Sequence, residues 1–442
     1  MLKAFKTGLV CVCNLTYCDT LEFDLPKTDG EVLIVSSSSS GLRYELNSGK
    51  FMSKHLFVQD GPYKIKNTNS ESRFETIINS FTSSSTKFVN YETEVNVKIN
   101  RQVHYQKIVG FGGAFTGTVS YNLKLLNSKL QDHIYRGYYS KNQGIGYTMM
   151  RMSIGGCDFD LEPWAYNEYP TDDKNLSSFT KLDTRDLEKI KQIDKLRSIA
   201  NNHDIKFVGA AWSPPRWMKT NNDWTGFSSL KDEYYQTWAN YHIRFLELME
   251  TKNISFWGIS TGNEPLNGVI AFLFVHFMSL GWLGNTQGVW VGNNLGPAMK
   301  SSRFSNVKLL AGDDQRYIFP WWFNQMHEGH SESLKYVDGL AVHWYWDSFV
   351  TPSLLNHVHE MFPDKFIIST EACSGDKPWE VHGPMMGYWG RGADYAKDII
   401  DDLNHWVTGW IDWNLVLDET GGPNYVNNFV DAAIIANTTS MI

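Results

Sequence analysis

The sequence has no basic segment and no apolar run of the length that a membrane helix requires. Its 442 residues carry a net charge of −8 and an isoelectric point of about 5.9, so a nucleic acid is not an expected partner. A membrane-spanning helix needs about 18 successive apolar residues, and the most apolar stretch, residues 269–283, is interrupted by His276 and Gly281. These absences exclude nucleic-acid binding and transmembrane helices from the expected functions.

Cysteine is scarce, and the five cysteines form no recognisable metal or redox motif. Cys11, Cys13 and Cys18 lie together in the segment VCVCNLTYC, whereas Cys157 and Cys373 are isolated. The spacing matches neither a zinc ligand set nor a redox CxxC pair. The sequence also lacks the Ser/His/Asp signatures of a serine hydrolase. No metal and no cofactor are therefore predicted.

Acceptor motifs for asparagine glycosylation, Asn-x-Ser/Thr, occur at Asn14, Asn175, Asn253 and Asn437. Asn14 lies inside the cysteine-rich segment, and this combination favours a glycoprotein that passes through the secretory route. Residues 1–10 contain no long apolar stretch. Either the natural protein has a signal peptide before this segment, which we favour, or the protein is cytosolic.

The chain divides by composition into three segments. Residues 1–30 form a cysteine-containing N-terminal head, and residues 31–100 contain short alternating runs that are typical of accessory β-strands. After residue 105 eight short apolar runs alternate with longer polar or amphipathic stretches. The eight runs are KIVGFGGAFTG, YTMMRMSIGGCDFD, KFVGAAWSPP, FWGISTGNEP, VKLLAGDDQR, GLAVHWYWD, KFIISTEACSG and VTGWIDWNLVL.

Eight such runs separated by helical stretches predict an α/β fold, a (β/α)8 TIM barrel over residues 101–442. One predicted helix follows Thr184 as its cap and carries Ile190, Ile193 and Leu196 at helical spacing. The alternative is an open α/β sheet. The barrel is favoured because no Gly-rich phosphate loop follows the first run.

Two glutamates end short apolar runs that read as buried strands, Glu264 in WGISTGNEP and Glu371 in FIISTEACSG. We count these runs as the fourth and seventh strands of the barrel. Because the carboxyl ends of barrel strands meet at one rim, both carboxylates are expected there. Cleavage of a glycosidic bond needs two carboxylates, one as acid/base and one as nucleophile. A single glutamate at a strand end is more often a structural acceptor, but the pair favours a glycoside hydrolase.

Other polar and aromatic residues end the same runs, and each has a structural alternative to a role in the site. Asn263 could cap a helix, and Asp158 could pair with Arg151. Trp212 and Trp413 could belong to the ordinary core. The neighbouring pair Asp313–Asp314 suggests a metal site at first, but an ion pair with Arg316 or with a barrel neighbour is the favoured interpretation.

The motifs GFGGAFT, SIGGCDFD, WSPPRWMKTN, NEP, GDDQR, AVHWYWD, STEAC and DWNLVLDETGGPNYVNNFVD occur in this order across almost the whole chain. In them the sequence resembles the glucosylceramidases of glycoside hydrolase family 30. The resemblance implies a retaining β-glucosidase that hydrolyses glucosylceramide to glucose and ceramide through a covalent glycosyl-enzyme intermediate. It also implies a membrane-associated location in the lysosomal lumen, with a saposin-type activator and anionic lipids as partners.

Carried over motif by motif, the resemblance assigns Glu371 as the nucleophile and Glu264 as the acid/base. The glucose site would be lined by Asp158, Trp212, Asn263, Trp413 and Asn428. The groups that hold the two carboxylates would be Arg151, His343 and Tyr345. All three are candidate hydrogen-bond donors to Glu371. The resemblance also implies a disulfide between Cys13 and Cys18.

The sequence departs from the family pattern in three places. Gly117 stands where the family more often has Asp, and the segment 266–290 is divergent and unusually apolar. That segment, with Phe272, Phe274, Phe277 and Trp282, is expected to form either a membrane-facing lid or a packed helix. The family continues beyond the position of Ile442 with strands that complete a β-sandwich with residues 31–100, so we expect half of that sandwich to be missing.

Two alternatives therefore accompany the main interpretation. The first is another retaining β-glycosidase of the same family, of the xylanase or β-1,6-glucanase type. The second is a truncated, non-catalytic remnant, which the early end of the chain suggests.

Overall fold

The structure is a computed structural model that describes residues 2–5, 8–18, 28–50, 100–270 and 276–438. It divides into two compact units, one with residues 1–23 and 105–442 and the other with residues 24–104. The predicted accessory runs between residues 51 and 99 lie outside the described residues. The exact limits of the predicted head, accessory strands and barrel stay a prediction.

Two short antiparallel hairpins precede the barrel. Strand β1 (Leu2–Phe5) pairs with β2 (Gly8–Cys11), and β3 (Glu31–Ser36) pairs with β4 (Glu45–Lys50). An accessory sheet at the N-terminus is thus confirmed. Immediately after β2, Cys13 and Cys18 form a disulfide, as the resemblance implied.

Eight parallel strands, each within one of the eight predicted runs, close into a barrel and follow one another in chain order. The strands are β5 (Gly110–Ala114), β6 (Met149–Ser153), β7 (Lys206–Ala210), β8 (Phe256–Ser260), β9 (Lys308–Gln315), β10 (Gly339–His343), β11 (Phe366–Glu371) and β12 (Val407–Asn414). The predicted (β/α)8 barrel is therefore confirmed. A small parallel pair follows, β13 (Val416–Asp418) with β14 (Ile434–Ala436).

Helices connect the barrel strands on the outside. The α-helices span Gly117–Leu125, Ser128–Tyr139, Thr184–Ala200, Tyr235–Glu250, Gly284–Trp290, Gly296–Ser301, Trp321–Gly329, Ser353–Met361 and Trp389–Asn404. Short 3-10 turns lie at Arg216–Met218, Asp232–Tyr234, Pro265–Gly268, Arg316–Ile318 and Ser333–Lys335, and a π-helical segment lies at Val291–Leu295. No helix in the described part of the chain is both long enough and apolar enough to cross a bilayer.

The helix Thr184–Ala200 shows why the sequence forms these elements. Its cap is Asp183, whose carboxylate accepts from the Arg185 N–H at 2.9 Å, so the prediction of a threonine cap was wrong by one residue. Ile190, Ile193 and Leu196 are buried against the barrel. Burying each such side chain contributes about 1.5–3 kcal/mol.

The barrel interior is filled by one apolar layer that six different strands supply. All six side chains are fully buried: Met149, Val208, Leu310, Ala341, Ile368 and Ile411. A filled interior closes the barrel to solvent, so polar side chains of the strands can meet only at its carboxyl end.

Candidate active site

Glu264 lies just beyond the end of β8, in a backbone conformation that is uncommon for residues other than glycine. Its φ of 40° and ψ of 66° are left-handed. Its N–H donates to the carbonyl oxygen of Asp313 at 2.8 Å, and the turn Pro265–Gly268 follows. A neighbouring strand thus holds a strained backbone that fixes this side chain at the barrel rim.

Glu371 is the last residue of β11 and pairs in register with His343, the last residue of β10. Both glutamates are buried, with 6% of Glu371 and 8% of Glu264 exposed. One carboxylate oxygen from each glutamate and one ring nitrogen of His343 lie within 4.8 Å of one another. The structure therefore brings the two predicted carboxylates together at one rim.

Two donors hold Glu371. Arg151, in the middle of β6, donates from Nη1 to Glu371 Oε2 in a short contact, and Tyr345 donates from Oη to Oε1 at 2.7 Å. Burial raises the pKa of Glu371, while the charges of His343 and Arg151 act in the opposite direction, and the pKa remains above its ordinary value. The two donors favour the ionised form, which a nucleophile requires.

Glu264 has three partners. His343 donates from Nδ1 to Oε1 at 3.0 Å, and Gln315 donates from Nε2 to the same oxygen at 2.8 Å. Asn267 donates from Nδ2 to Oε2 at 2.5 Å. His343 thus contacts Glu264 and not Glu371, so its expected hydrogen bond to the nucleophile is not formed.

Asp313, on β9, joins the groups that hold the two glutamates. Its Oδ2 accepts from Arg151 at 2.9 Å, and its Oδ1 accepts from His343 at 3.1 Å and from Thr370 at 2.6 Å. Burial raises the pKa of Asp313, but Arg151 and His343 more than offset this and hold the pKa well below its usual range. The favoured interpretation of Asp313, an ion pair with barrel neighbours, agrees with this geometry. Arg316 does not take part.

His343 carries a positive charge in this environment. Burial lowers the pKa of His343, but the charge of Glu371 and the hydrogen bonds to Asp313 and Glu264 raise it to about 10. Both ring nitrogens face carboxylate oxygens, which is the arrangement that an imidazolium with two N–H donors satisfies. His343 is therefore an orienting cation between two acids.

Trp212 and Trp413 form a stacked pair beside the glutamates. Their ring centroids are 5.4 Å apart and the ring planes differ by 24°. The Arg151 guanidinium lies over both rings, 4.9 Å from the Trp212 centroid and 5.5 Å from that of Trp413. Both rings also belong to a buried apolar cluster. They therefore support the position of Arg151 and at the same time belong to the core.

Asp158 and Asn263 place further polar groups at the same rim. Asn263 Oδ1 accepts from Arg151 Nη2 at 2.7 Å, which leaves the amide nitrogen as a donor for a ligand. Burial and the nearby charges of Glu371 and Glu264 raise the pKa of Asp158 well above its ordinary value. Asp158 therefore does not pair with Arg151, whose partners are Glu371, Asn263 and Asp313.

Asn428 is half-buried on the loop before β14, apart from this network. Its N–H donates to Asn424 Oδ1 at 3.0 Å, and its carbonyl oxygen accepts from Asn424 Nδ2 at 2.8 Å. Within the described residues its own amide forms no hydrogen bond with the glutamates. A place in a glucose site stays a prediction for this residue.

The apolar segment that follows Glu264 is described only in part, because Phe272 and Phe274 lie outside the described residues. Trp282 is 2% exposed and stacks on Trp290 at 5.4 Å. Phe277 is half-buried against the cluster that contains Trp212. These two side chains are packed, but they lie outside the helices, so residues 276–283 do not form the expected packed helix.

Two groups of side chains have ligand atoms close enough together for a metal ion, Glu264–His343–Glu371 and Asp347–Asp398–Asp402. The first is a poor site, because a protonated His343 has no lone pair to offer. Asp314, the second acid of the Asp313–Asp314 pair, belongs to neither group. Its carboxylate accepts from the N–H groups of Gln315 at 2.7 Å and Leu266 at 3.2 Å. The absence of a metal from the chemistry stays a prediction.

Sequence reasoning did not identify Gln315 and Asn267 as partners of Glu264. Asn267 follows Glu264 by three residues, and the 3-10 turn that brings them together begins at Pro265. Gln315 is the last residue of β9 and the last but one of the predicted fifth run, VKLLAGDDQR. Considering the polar residues at the ends of all eight runs would therefore have identified Gln315 as a candidate site residue.

Comparison with known proteins agrees with this architecture. Residues 108–441 match the Glycosyl hydrolase family 30 TIM-barrel domain. The chain is 34% identical over 439 residues to "Putative glucosylceramidase 4" of Caenorhabditis elegans, and 34% identical over 437 residues to "Lysosomal acid glucosylceramidase" of Mus musculus. Each of these alignments covers 98% of this chain and 76% of the relative. The solved structure of "The endo-beta1,6-glucanase BT3312" superposes with a TM-score of 0.68 at 25% identity, over 77% of this chain and 73% of that one.

Proposed function

The chain belongs to glycosyl hydrolase family 30, and from this premise we propose that it hydrolyses the β-glucosidic bond of glucosylceramide with retention of configuration. The observation that carries the proposal is that one carboxylate oxygen of Glu264 lies within 4.8 Å of one carboxylate oxygen of Glu371. Retaining enzymes place the two carboxyl groups about 5–5.5 Å apart, whereas inverting enzymes need about 6.5–9.5 Å to admit a water molecule.

In the first step Glu371 attacks the anomeric carbon, and the bond from that carbon to the ceramide oxygen breaks. Glu264 gives its proton to the departing oxygen, so ceramide leaves as a neutral alcohol. Arg151 and Tyr345 hold the two oxygens of Glu371 and so fix the direction of attack. The product of this step is a glucosyl ester of Glu371.

In the second step water attacks the same carbon and releases Glu371. The Glu264 carboxylate accepts a proton from that water, which restores the starting state. His343, Gln315 and Asn267 orient Glu264 for both transfers. A second displacement at one carbon returns the original configuration.

The glucose ring is proposed to bind against Trp212 and Trp413, because stacked aromatic rings match the C–H faces of a sugar. The Asn263 amide donates to the 2-hydroxyl, where contacts strengthen in the transition state. Asp158 and Asn428 accept from or donate to the outer hydroxyls. The roles of Trp212, Trp413, Asn263 and Asp158 rest on their positions at the rim. The role of Asn428 rests on the family resemblance alone.

Ceramide as the leaving group and the lysosome as the location are proposed from the relatives named glucosylceramidase, one of which is named lysosomal. A saposin-type activator and anionic lipids are proposed on the family resemblance. The chief competing function is β-1,6-glucan hydrolysis, which the likeness to a solved endo-β-1,6-glucanase supports.

The test uses purified protein with a 2-deoxy-2-fluoro β-glucoside that carries a good leaving group. This substrate is expected to inactivate the enzyme and to leave a fluoroglucosyl ester on the peptide that contains Glu371, found by mass spectrometry. A label on another residue, or no label with normal folding, contradicts the proposal. Turnover of glucosylceramide in anionic vesicles against turnover of β-1,6-glucan and xylan then decides the substrate.

A further inference from the structure

Arg316, directly after β9, lies within ion-pair distance of three carboxylates. Its Nη2 lies 2.5 Å from Asp347 Oδ2, 2.6 Å from Asp402 Oδ1 and 3.8 Å from Asp398 Oδ1. Asp347 lies on the loop after β10, and the other two acids lie on the helix Trp389–Asn404. The Arg316 and Asp402 side chains are 1% exposed and that of Asp347 is 4% exposed. We call these four residues the Arg316 cluster.

The Arg316 cluster holds more acid than its one guanidinium neutralises. Lys397 and Asp401 also face it from the helix, but they pair with each other at 2.6 Å, and Lys397 is exposed while Asp401 is half-buried. Arg316 Nη1 donates to the Val350 carbonyl oxygen, so it brings no further charge. With all three acids ionised, the cluster, in which Asp347 and Asp402 are buried and Asp398 is 16% exposed, would carry two uncompensated negative charges, which is unfavourable in a protein interior.

The carboxyl groups of Asp347 and Asp398 hydrogen-bond to each other, which requires a proton on one of them. Asp402 Oδ2 is buried without a hydrogen-bond partner among the described residues. One carboxylate oxygen from each of the three acids lies within 4.8 Å of the others. Burial raises the pKa of Asp402 to about 7, and burial with the neighbouring acids raises the pKa of Asp347 and Asp398 although Arg316 lowers them.

The cluster is attached to the donors of both glutamates. Gln315, which donates to Glu264, is the residue before Arg316. Tyr345, which donates to Glu371, lies two residues before Asp347 on the same loop. The ion pair between Arg316 and Asp347 therefore fastens the two segments that present these donors.

We propose that the Arg316 cluster is a proton-dependent clasp, which positions Gln315 and Tyr345 against the glutamates only while some of its three acids are protonated. Its members are positioning residues and not catalytic ones. Protons suit the site better than a metal ion, because a cation bound to the same carboxylates would lie close to the guanidinium. The effect on activity rests on the proposed function, whereas the effect on stability does not.

The sign of the pH dependence follows from the raised pKa values. Between about pH 4 and the raised values, the folded protein binds more protons in this cluster than the unfolded chain does. Its contribution to stability is therefore complete at acidic pH and is lost as the pH rises through neutrality. The clasp would restrict a well-ordered active site to acidic conditions.

The test compares the full chain with Asp398→Asn, which keeps the size of the side chain but cannot ionise. The midpoint of thermal unfolding is measured between about pH 5 and pH 8 in a chelating buffer. The midpoint of the parent is expected to fall as the pH rises over this range. The midpoint of Asp398→Asn is expected to fall less over the same range. Asp394→Asn, an exposed change on the same helix, is the matched control and is expected to follow the parent.

Activity gives a second readout that a merely structural role would not change. The alkaline limb of the kcat/KM profile on a β-glucoside is expected to move to higher pH in Asp398→Asn and to stay in place in Asp394→Asn. If the parent turns over no glycoside, the proposed function fails while the unfolding data still decide the clasp.

Three results would overturn the clasp. The first is a parent midpoint that does not fall toward neutral pH, which needs no variant. The second is a plot of unfolding midpoint against pH for Asp398→Asn that runs parallel to that of the parent. If Asp398→Asn does not fold, Asp402→Asn is used in its place. The third is a rise in the parent midpoint with added calcium at neutral pH that Asp398→Asn abolishes, which would make the cluster a cation site.

Discussion

Asp313 and His343 form a buried hydrogen bond of 3.1 Å, from His343 Nε2 to Asp313 Oδ1. The other ring nitrogen of His343 reaches Glu264, and the other oxygen of Asp313 reaches Arg151. Since Arg151 also holds Glu371, this one bond completes a continuous path between the two glutamates. The path alternates acids and cations, so each charge is stabilised by its neighbours.

Asp313→Asn is expected to weaken both the fold and the site. The change leaves Arg151 and His343 without their shared counter-charge, and breaking such a buried pair lowers the free energy of unfolding by about 3–5 kcal/mol. Denaturant unfolding and kcat at acidic pH are the measurements. The control is Asp194→Asn, in which an exposed carboxylate 3.7 Å from Arg197 is changed and which should cost less than about 1 kcal/mol. Equal losses in the two variants would contradict the assigned path.

Glu264→Gln is expected to slow glycoside hydrolysis by about 10²–10⁴-fold when the leaving group is a poor one. A dinitrophenolate leaving group needs no proton, so the first step should be much less affected for that substrate. The measurement is kcat/KM for a series of aryl β-glucosides of differing leaving-group pKa. Glu328→Gln, an exposed change on the helix Trp321–Gly329, should behave as the parent. A loss of the same size for every leaving group would exclude Glu264 as the acid.

His343 is expected to stay protonated across the neutral range. Its pKa in the folded protein is raised to about 10, so the stability it contributes is complete below about pH 6.5 and is lost as the pH rises toward about 10. Nitrogen-15 NMR of labelled histidine at about pH 5–8 checks this.

The same spectrum contains an internal comparison. Burial lowers the pKa of His242 to about 4, and its Nδ1 lies 2.8 Å from the carbonyl oxygen of Trp238. His242 should therefore appear as a neutral ring while His343 appears as an imidazolium. A neutral His343 at pH 7 would refute the charge assignment.

Asn263→Ala is expected to lower kcat/KM for a β-glucoside by roughly 10–100-fold, because the contact with the 2-hydroxyl strengthens in the transition state. The matching 2-deoxy β-glucoside lacks that hydroxyl, so the variant should lose little on it relative to the parent. Comparing both proteins on both substrates separates the sugar contact from the contact between Asn263 and Arg151. An equal loss on the two substrates would assign Asn263 a purely supporting role.

The barrel was predictable because its signal is local. Each buried parallel strand appears as a short apolar run, and each run contains one strand of the barrel. The carboxyl ends of parallel strands converge, so Glu264 and Glu371 could be placed at one rim without coordinates. The helix Thr184–Ala200 begins one residue earlier than predicted, with Asp183 and not Thr184 as its cap, because both residues are good capping residues.

The partners of the glutamates were less accessible. Arg151 was expected at Glu371 and is there, but His343 turned out to contact Glu264. His343 lies beside two register shifts in β10, one on each side of Val342, and such irregularities change the direction of nearby side chains. A shift of one residue leaves almost no trace in the sequence.

The sequence by itself determined the order of strands and helices, the family, and the two acids at the barrel rim, because these depend on periodicity and on short contiguous motifs. Only the tertiary structure decided which cation serves which acid. It also decided that Arg316 lies within ion-pair distance of three carboxylates. Those contacts join residues that are distant in the chain, and their energies depend on burial and on separations of a few ångströms that no local pattern encodes.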